Sequence, residues 1–323
     1  MPVHEAATTI EESIASVRAQ SLEEWELILV DDGSTDDGMA LAAAACAGAA
    51  QPVRFLGGGE PGRPRGPAWA RNLALGAAEG ELVAFLDADD TWDPDYLRIR
   101  HEAFCDDPSV ALVWGPTLYW HPTQPEREDY VGGTGVVPED RRRFAPNEVV
   151  RYWMWSLMRT PGPGATVVRR DVARGCGGFP EELKRGEDVA LWMRIAVEHP
   201  VRWDARVLHR YRRHPGSSTA TASRQGAAAA ADLKFTEWTV HFIASHPGCD
   251  GLGLAVRNFH GQAQRVATTR PPGVAAWFIT RTLWAEPAAR RYLWWVLSDW
   301  FLPRTLARRA VPILYGWAGA NTL

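Results

Sequence analysis

Glu26-Leu27-Ile28-Leu29-Val30 runs directly into Asp31-Asp32-Gly33-Ser34-Thr35-Asp36. A short apolar run closed by turn-forming residues reads as a buried strand, and this one ends in carboxylates. The same pattern returns at Leu82-Val83-Ala84-Phe85-Leu86, which ends at Asp87-Ala88-Asp89-Asp90. Val53–Leu56 and Val110–Trp114 are two further short strands. Helical patterns lie between them. Ile10, Ile14 and Val17 space a helix over Ile10–Ala19, Gly80 stops a helix over Ala68–Glu79, and Pro94 opens another. Strands alternating with helices predict an α/β fold with a mostly parallel central sheet. In such a sheet ligands bind beyond the carboxyl ends of the strands, where both aspartate groups stand.

The whole chain fits a globular protein. It has 323 residues, 46% of them hydrophobic, which excludes general disorder. The net charge of -4 argues against nucleic acid as a partner. Only Lys184 and Lys234 are lysines; the other basic residues are arginines. Cys46, Cys105, Cys176 and Cys249 are too scattered for a zinc knuckle or a redox pair, and are expected buried and reduced. Met1-Pro2-Val3-His4-Glu5 does not open as a signal peptide, and no apolar stretch is long enough for a spanning helix. These features point to the cytoplasm.

Charge divides the chain. Residues 1–224 carry 25 basic and 34 acidic side chains, and residues 225–323 carry 10 and 5. The change coincides with the alanine run Ala227–Ala231, so a domain of residues 1–224 is expected, followed by a helical region of residues 225–323. The expected helices there span 227–244, 252–267, 273–284 and 288–301. Trp284, Trp294, Trp295, Trp300 and Trp317 lie near arginines, which suits a helical cap or peripheral contact with the inner face of a membrane. The proline-rich residues 120–147 read as a long loop, and Arg141-Arg142-Arg143 within it as a solvated face.

Several groups carry chemistry. Asp87 and Asp89, two apart on a turn, can converge on a hard divalent cation; as a calcium loop the segment fails, with Trp92 and Arg98 at the key positions. A carboxylate of Asp31-Asp32 can accept the N–H of a pyrimidine. Gly57–Gly66 is neither a Walker loop nor a dinucleotide fingerprint, and reads as a flexible connection or as a loop whose Arg63 and Arg65 close over a diphosphate. Glu187-Asp188 opens an apolar helix, where its dipole favours carboxylates. His214 follows Tyr211-Arg212-Arg213, as at an anion-binding strand end. No Gly-x-Ser-x-Gly elbow supports a hydrolase.

In this order, the segments resemble the family 2 glycosyltransferases of GT-A fold. The matching text is Pro2-Val3, Gln20-Ser21, Glu24–Asp36, Ala70-Arg71-Asn72, Gly80-Glu81, Phe85–Asp90, Trp92, Pro94, Gly177-Gly178-Phe179, Glu187-Asp188, Leu191-Trp192, Arg194 and Tyr211-Arg212 with His214. The resemblance covers about residues 2–218. It implies an inverting transfer from a nucleotide-diphosphate sugar donor to a saccharide, lipid-linked or small-molecule acceptor. Asp32 would hold the base, with Pro2, Val3, Glu5 and Arg71 lining the nucleotide pocket. Asp89, aided by Asp87 and flanked by Ala88, would hold Mg²⁺ or Mn²⁺ on the diphosphate, with His214 reaching the metal or diphosphate. Asp188 would be the catalytic base. Residues 120–165 and the helical region would shape the acceptor site. A GT-A-like nucleotidyltransferase is a rival, but its glycine-rich basic loop near the N-terminus is absent. A non-catalytic nucleotide-sugar binding protein is a second rival.

Two features depart from the family pattern. His4-Glu5 replaces an aromatic–asparagine pair, and only Met1 precedes Pro2-Val3 where the family has a full apolar strand. That strand would lie between the strands at Glu26–Val30 and Leu82–Leu86. The expectation is either five to eight apolar residues upstream of Met1 or a solvent-filled notch between those two strands.

Overall fold

A computed structural model describes residues 1–124, 126–132, 143–154 and 160–214, and residues 231, 234, 235, 237–239, 241, 242, 245 and 246. The chain divides into two compact units, Met1–Phe235 and Thr236–Leu323. The expected boundary near residue 224 lies outside the described residues, as do almost all of the expected C-terminal helices and all of Trp284, Trp294, Trp295, Trp300 and Trp317. In the second unit Trp238 stacks on Phe242, one helical turn away.

The first unit begins β1 (Pro2–Val3), α1 (Ile10–Arg18), β2 (Leu27–Asp31), α2 (Gly38–Cys46), β3 (Val53–Leu56) and α3 (Pro67–Ala77). Next come β4 (Leu82–Ala84), β5 (Thr91–Trp92), α4 (Tyr96–Asp106), β6 (Leu112–Trp114), β7 (Thr117–Trp120), β8 (Tyr130–Gly132) and β9 (Arg143–Phe144). The rest is α5 (Glu148–Met154), β10 (Thr166–Arg169), α6 (Arg170–Gly175), α7 (Glu187–Glu198), β11 (Val201–Trp203) and β12 (His209–Arg212). The expected strands and helices appear within a few residues of their predicted ends.

The α/β class holds, and β1-β2-β3 form a wholly parallel sheet. The second sheet, β4-β10-β6-β11-β9, is mixed, because β10 runs antiparallel between β4 and β6. The third, β5-β12-β7-β8, places β12 parallel to β7 and antiparallel to β5. Two corrections follow. The long loop expected over residues 120–147 contains β8 and β9, which add antiparallel edges to β7 and β11. Cys105 is exposed rather than buried; Cys46 is buried and Cys176 half-buried.

Ile10, Ile14 and Val17 of α1 are buried together with Val3, Leu27 and Leu29 in the main core. The opposite face of β2, Ile28 and Val30, packs against Trp69 and Ala70 of α3. Core thus covers both faces of β2, which explains its unbroken apolar run. A cavity of about 360 Å³ lies between β2 and β4, lined by Leu27, Ile28, Leu82, Val83, Ala84 and Phe85. The Met1 ammonium, also on its wall, donates to the Ile28 carbonyl at 2.7 Å. Burial pushes that amine down to about 5. Among the described residues no helix is long and apolar enough to cross a membrane.

Candidate active site

The turn after β4 is held from three sides. From α1, the hydroxyls of Thr9 and Ser13 each donate to the Ala88 carbonyl at 2.9 Å. From α3, Arg71 donates to Asp87 Oδ1 at 2.7 Å. From β12, the Arg212 amide donates to Asp90 Oδ1 at 2.9 Å. These bonds leave Asp89 half-buried, with its Oδ2 3.0 Å from His214 Nε2. Asp89 and His214 are 125 residues apart in sequence, so the structure brings two of the predicted metal-binding residues together.

Asp87 faces elsewhere. Its partner Arg71 is buried and also donates to Glu187 Oε1 at 3.0 Å. Burial works against the Arg71 charge, but Asp87 and Glu187 outweigh it and raise its pKa. Arg71 is thus an ionic bridge from the Asp87 turn to the N-terminus of α7, and its guanidinium lies over Phe179. Asp188, the next residue of α7, is half-buried. Burial, reinforced by the Glu187 charge, pushes its carboxyl up to about 7, against the pull of Arg71. A carboxylate poised near neutrality is suited to take a proton.

Asn72 explains why two of the sequence motifs occur together. Its Oδ1 accepts the Phe179 amide and its Nδ2 donates to the Phe179 carbonyl, both at 2.8 Å. Gly178 has φ +65°, and a Cβ there would lie 2.5 Å from Asn72 Oδ1. Phe179 then packs edge-on to Phe85 and Trp192, joining β4 and α7.

At the nucleotide end, Asp32 Oδ1 accepts the Arg65 amide at 2.7 Å and Oδ2 the Gly66 amide at 2.8 Å. Asp32 therefore anchors the glycine-rich loop, and a carboxylate with about four lone-pair sites retains capacity for another donor. Gly33, at φ +77°, meets the same loop so closely that a Cβ would lie 2.5 Å from the Glu60 carbonyl. Of the two loop arginines, Arg63 pairs with Glu60 and Arg65 lies over Trp69. Val3 is buried, and its carbonyl accepts the Asp32 amide. Pro2 is half-buried opposite Val30. Glu5 caps Thr35 through its Oε1, from a backbone at φ +49°. Asparagine tolerates that region better than glutamate does.

A divalent cation fits in part. No group of three His, Cys, Asp or Glu converges among the described residues. Asp89 and His214 supply two converging donors, enough for an ion that keeps waters and completes its shell from a diphosphate. Sequence reasoning quoted Asp90 without giving it a role, and missed His209 and the hydroxyls of Thr9 and Ser13. The one available signal was the fourth residue of the aspartate run.

The sequence model described as "Glycosyl transferase family 2" matches residues 1–175. The chain belongs to this family. Its resemblance to a pre-mycofactocin glycosyltransferase of Mycobacterium tuberculosis is 30% identity over 224 residues, covering 66% of this chain and 42% of that protein. The succinoglycan biosynthesis protein ExoO of Rhizobium meliloti is 43% identical over 96 residues, covering 29% of this chain and 26% of its own. The chain spans less than two thirds of the length of the curated relatives it matches. The crystal structure of S. aureus TarS 1-349 in complex with UDP-GlcNAc superposes with a TM-score of 0.54 at 19% identity, over 81% of this chain and 79% of that one. The fold of the family 2 chain is therefore GT-A.

Proposed function

We propose that this chain is an inverting glycosyltransferase that moves a sugar from a nucleoside-diphosphate sugar to an acceptor hydroxyl. The observation that carries the reading is the Arg71 bridge, which ties Glu187, next to the Asp188 carboxyl poised near neutrality, to the turn that bears Asp89. Asp188 takes the proton of the acceptor hydroxyl as its oxygen attacks the anomeric carbon, on the face opposite the departing diphosphate. Glu187 holds Arg71 and keeps Asp188 basic. Asp32 and Val3, with Pro2 and Glu5, form the nucleotide end, and Arg71 acts behind them as the bridge. A divalent cation, Mg²⁺ or Mn²⁺, held by Asp89 and His214 would supply Lewis acidity to the leaving diphosphate. Family membership and the TarS complex with UDP-GlcNAc support a nucleotide-sugar donor. ExoO, named for succinoglycan biosynthesis, supports a saccharide or lipid-linked acceptor. The excess of basic residues over 225–323 favours a cytoplasmic protein with peripheral contact at the inner face of the membrane.

Purified protein incubated with Mn²⁺ and a panel of nucleotide sugars tests this. A glycosyltransferase releases nucleoside diphosphate from at least one of them, and Asp188→Asn suppresses the release while donor binding persists. Conversion of a nucleotide sugar to nucleoside triphosphate and sugar phosphate on addition of inorganic diphosphate would instead identify a nucleotidyltransferase, and binding without turnover a non-catalytic binder.

A further inference from the structure

Behind Asp89 and His214 lies a polar relay across three strands. His209 Nε2 is 3.0 Å from Asp90 Oδ2, and His209 Nδ1 is 3.1 Å from Thr117 Oγ1. Asp90 and His209 are each 1% exposed, and Thr117 is buried. His209 is the register partner of Thr117 on β7 and of Trp92 on β5. A Cβ at Gly164 would collide with the imidazole, so the surrounding chain is built around the ring.

The relay does what the strand ladder cannot. β5 pairs with β12 over only two residues, His209↔Trp92 and Arg210↔Thr91. Beyond Arg210, β12 continues in register with β7 as far as Arg212 but has no ladder partner on the side of the Asp87–Asp90 turn, and His214 lies four residues beyond Arg210. Side chains continue the pairing. Asp90 Oδ1 accepts the Arg212 amide, and Arg212 Nε donates to the Asp89 carbonyl at 2.8 Å. Arg212 also pairs with Glu12 of α1 and lies over Trp120. The other Asp90 oxygen is held by His209. On the turn side the register rests on only two residue pairs, and a slip of β5 by one residue against β12 would move Asp89 away from His214.

We propose that Asp90 and His209 are positioning residues that fix the register of β12 on the Asp87–Asp90 turn and thereby bring His214 to Asp89. This rests on the reading of Asp89 and His214 as the pair that holds the divalent cation. Groups that support metal ligands from behind commonly alter affinity by about 10–100-fold.

The test is Mn²⁺ affinity, read by electron paramagnetic resonance with UDP, GDP or dTDP, whichever stabilises the wild-type chain most. His209→Leu is expected to weaken Mn²⁺ binding about tenfold or more. His209→Gln, whose amide reproduces the Nε2 donor, should stay within about threefold of wild type. A purely structural role would not rank the two variants this way at matched melting temperature. Thr117→Val, which removes one hydroxyl at constant shape, should give an intermediate loss and decides the matter if His209→Leu does not fold. Asp89→Ala and His214→Ala are the references. If both references weaken Mn²⁺ binding while His209→Leu and Thr117→Val leave it unchanged, the positioning role is wrong. If neither reference changes it, the cation reading fails and takes this inference with it.

Discussion

Replacing Arg71 with methionine removes the cation that joins two carboxylates from different parts of the chain. The Arg71 side chain is 5% exposed, Glu187 12% and Asp87 27%. Removing one partner of a buried ion pair costs about 3–5 kcal/mol, because the remaining charge stays buried without compensation. The Glu187 side is buried enough to incur most of that cost. The Asp87 side is partly hydrated and incurs less, so the two losses do not simply add. About 3 kcal/mol is the expected total, against a stability of roughly 5–15 kcal/mol for a domain of this kind. Urea denaturation at neutral pH reads it. Arg71→Met, Glu187→Gln and the double variant form a cycle in which the coupling should be about 1–3 kcal/mol. The same change has a catalytic sign. Arg71 pulls the Asp188 carboxyl down against burial, so without it the pKa rises above about 7. Asp188 must be ionised to accept a proton, so the rising limb of the kcat/KM profile should move to higher pH by on the order of one unit. An Arg71→Met protein within 1 kcal/mol of wild type, with an unmoved pH profile, would refute the bridge.

Two further outcomes are expected. Asp188→Asn is nearly isosteric and cannot take a proton, so donor affinity should be kept while turnover drops about 100-fold or more in single-turnover assays; near-normal turnover would move the base to Glu187. Asp89→Ala should abolish Mn²⁺-dependent affinity for the nucleoside diphosphate, and calorimetry showing it unchanged would remove Asp89 from the metal site.

The strands that carry the aspartates were legible because each is a short, locally complete pattern: an apolar run, then a carboxylate turn. Glu187-Asp188 was legible for the same reason, standing directly before an apolar helix. Local pattern also misled. Residues 120–147 are rich in proline and glycine, yet Tyr130–Gly132 and Arg143–Phe144 pair as edge strands because β7 and β11 offer free backbone edges. No local signal distinguishes such a segment from loop.

The amino-acid sequence alone determined the α/β class, the carboxylates at the strand ends and the family, since these depend on residue order within short windows. Tertiary structure decided which carboxylate meets which partner. Asp87 and Asp89 are two residues apart and chemically identical, yet one faces Arg71 and the other His214. Asp32 is tied to a loop 33 residues later, Asn72 clamps a turn 107 residues later, and Asp90 meets β12. Each of these choices is made by a directional hydrogen bond between distant segments. Such a bond forms only after the sheets have set the register, so neither composition nor spacing encodes it in any local window.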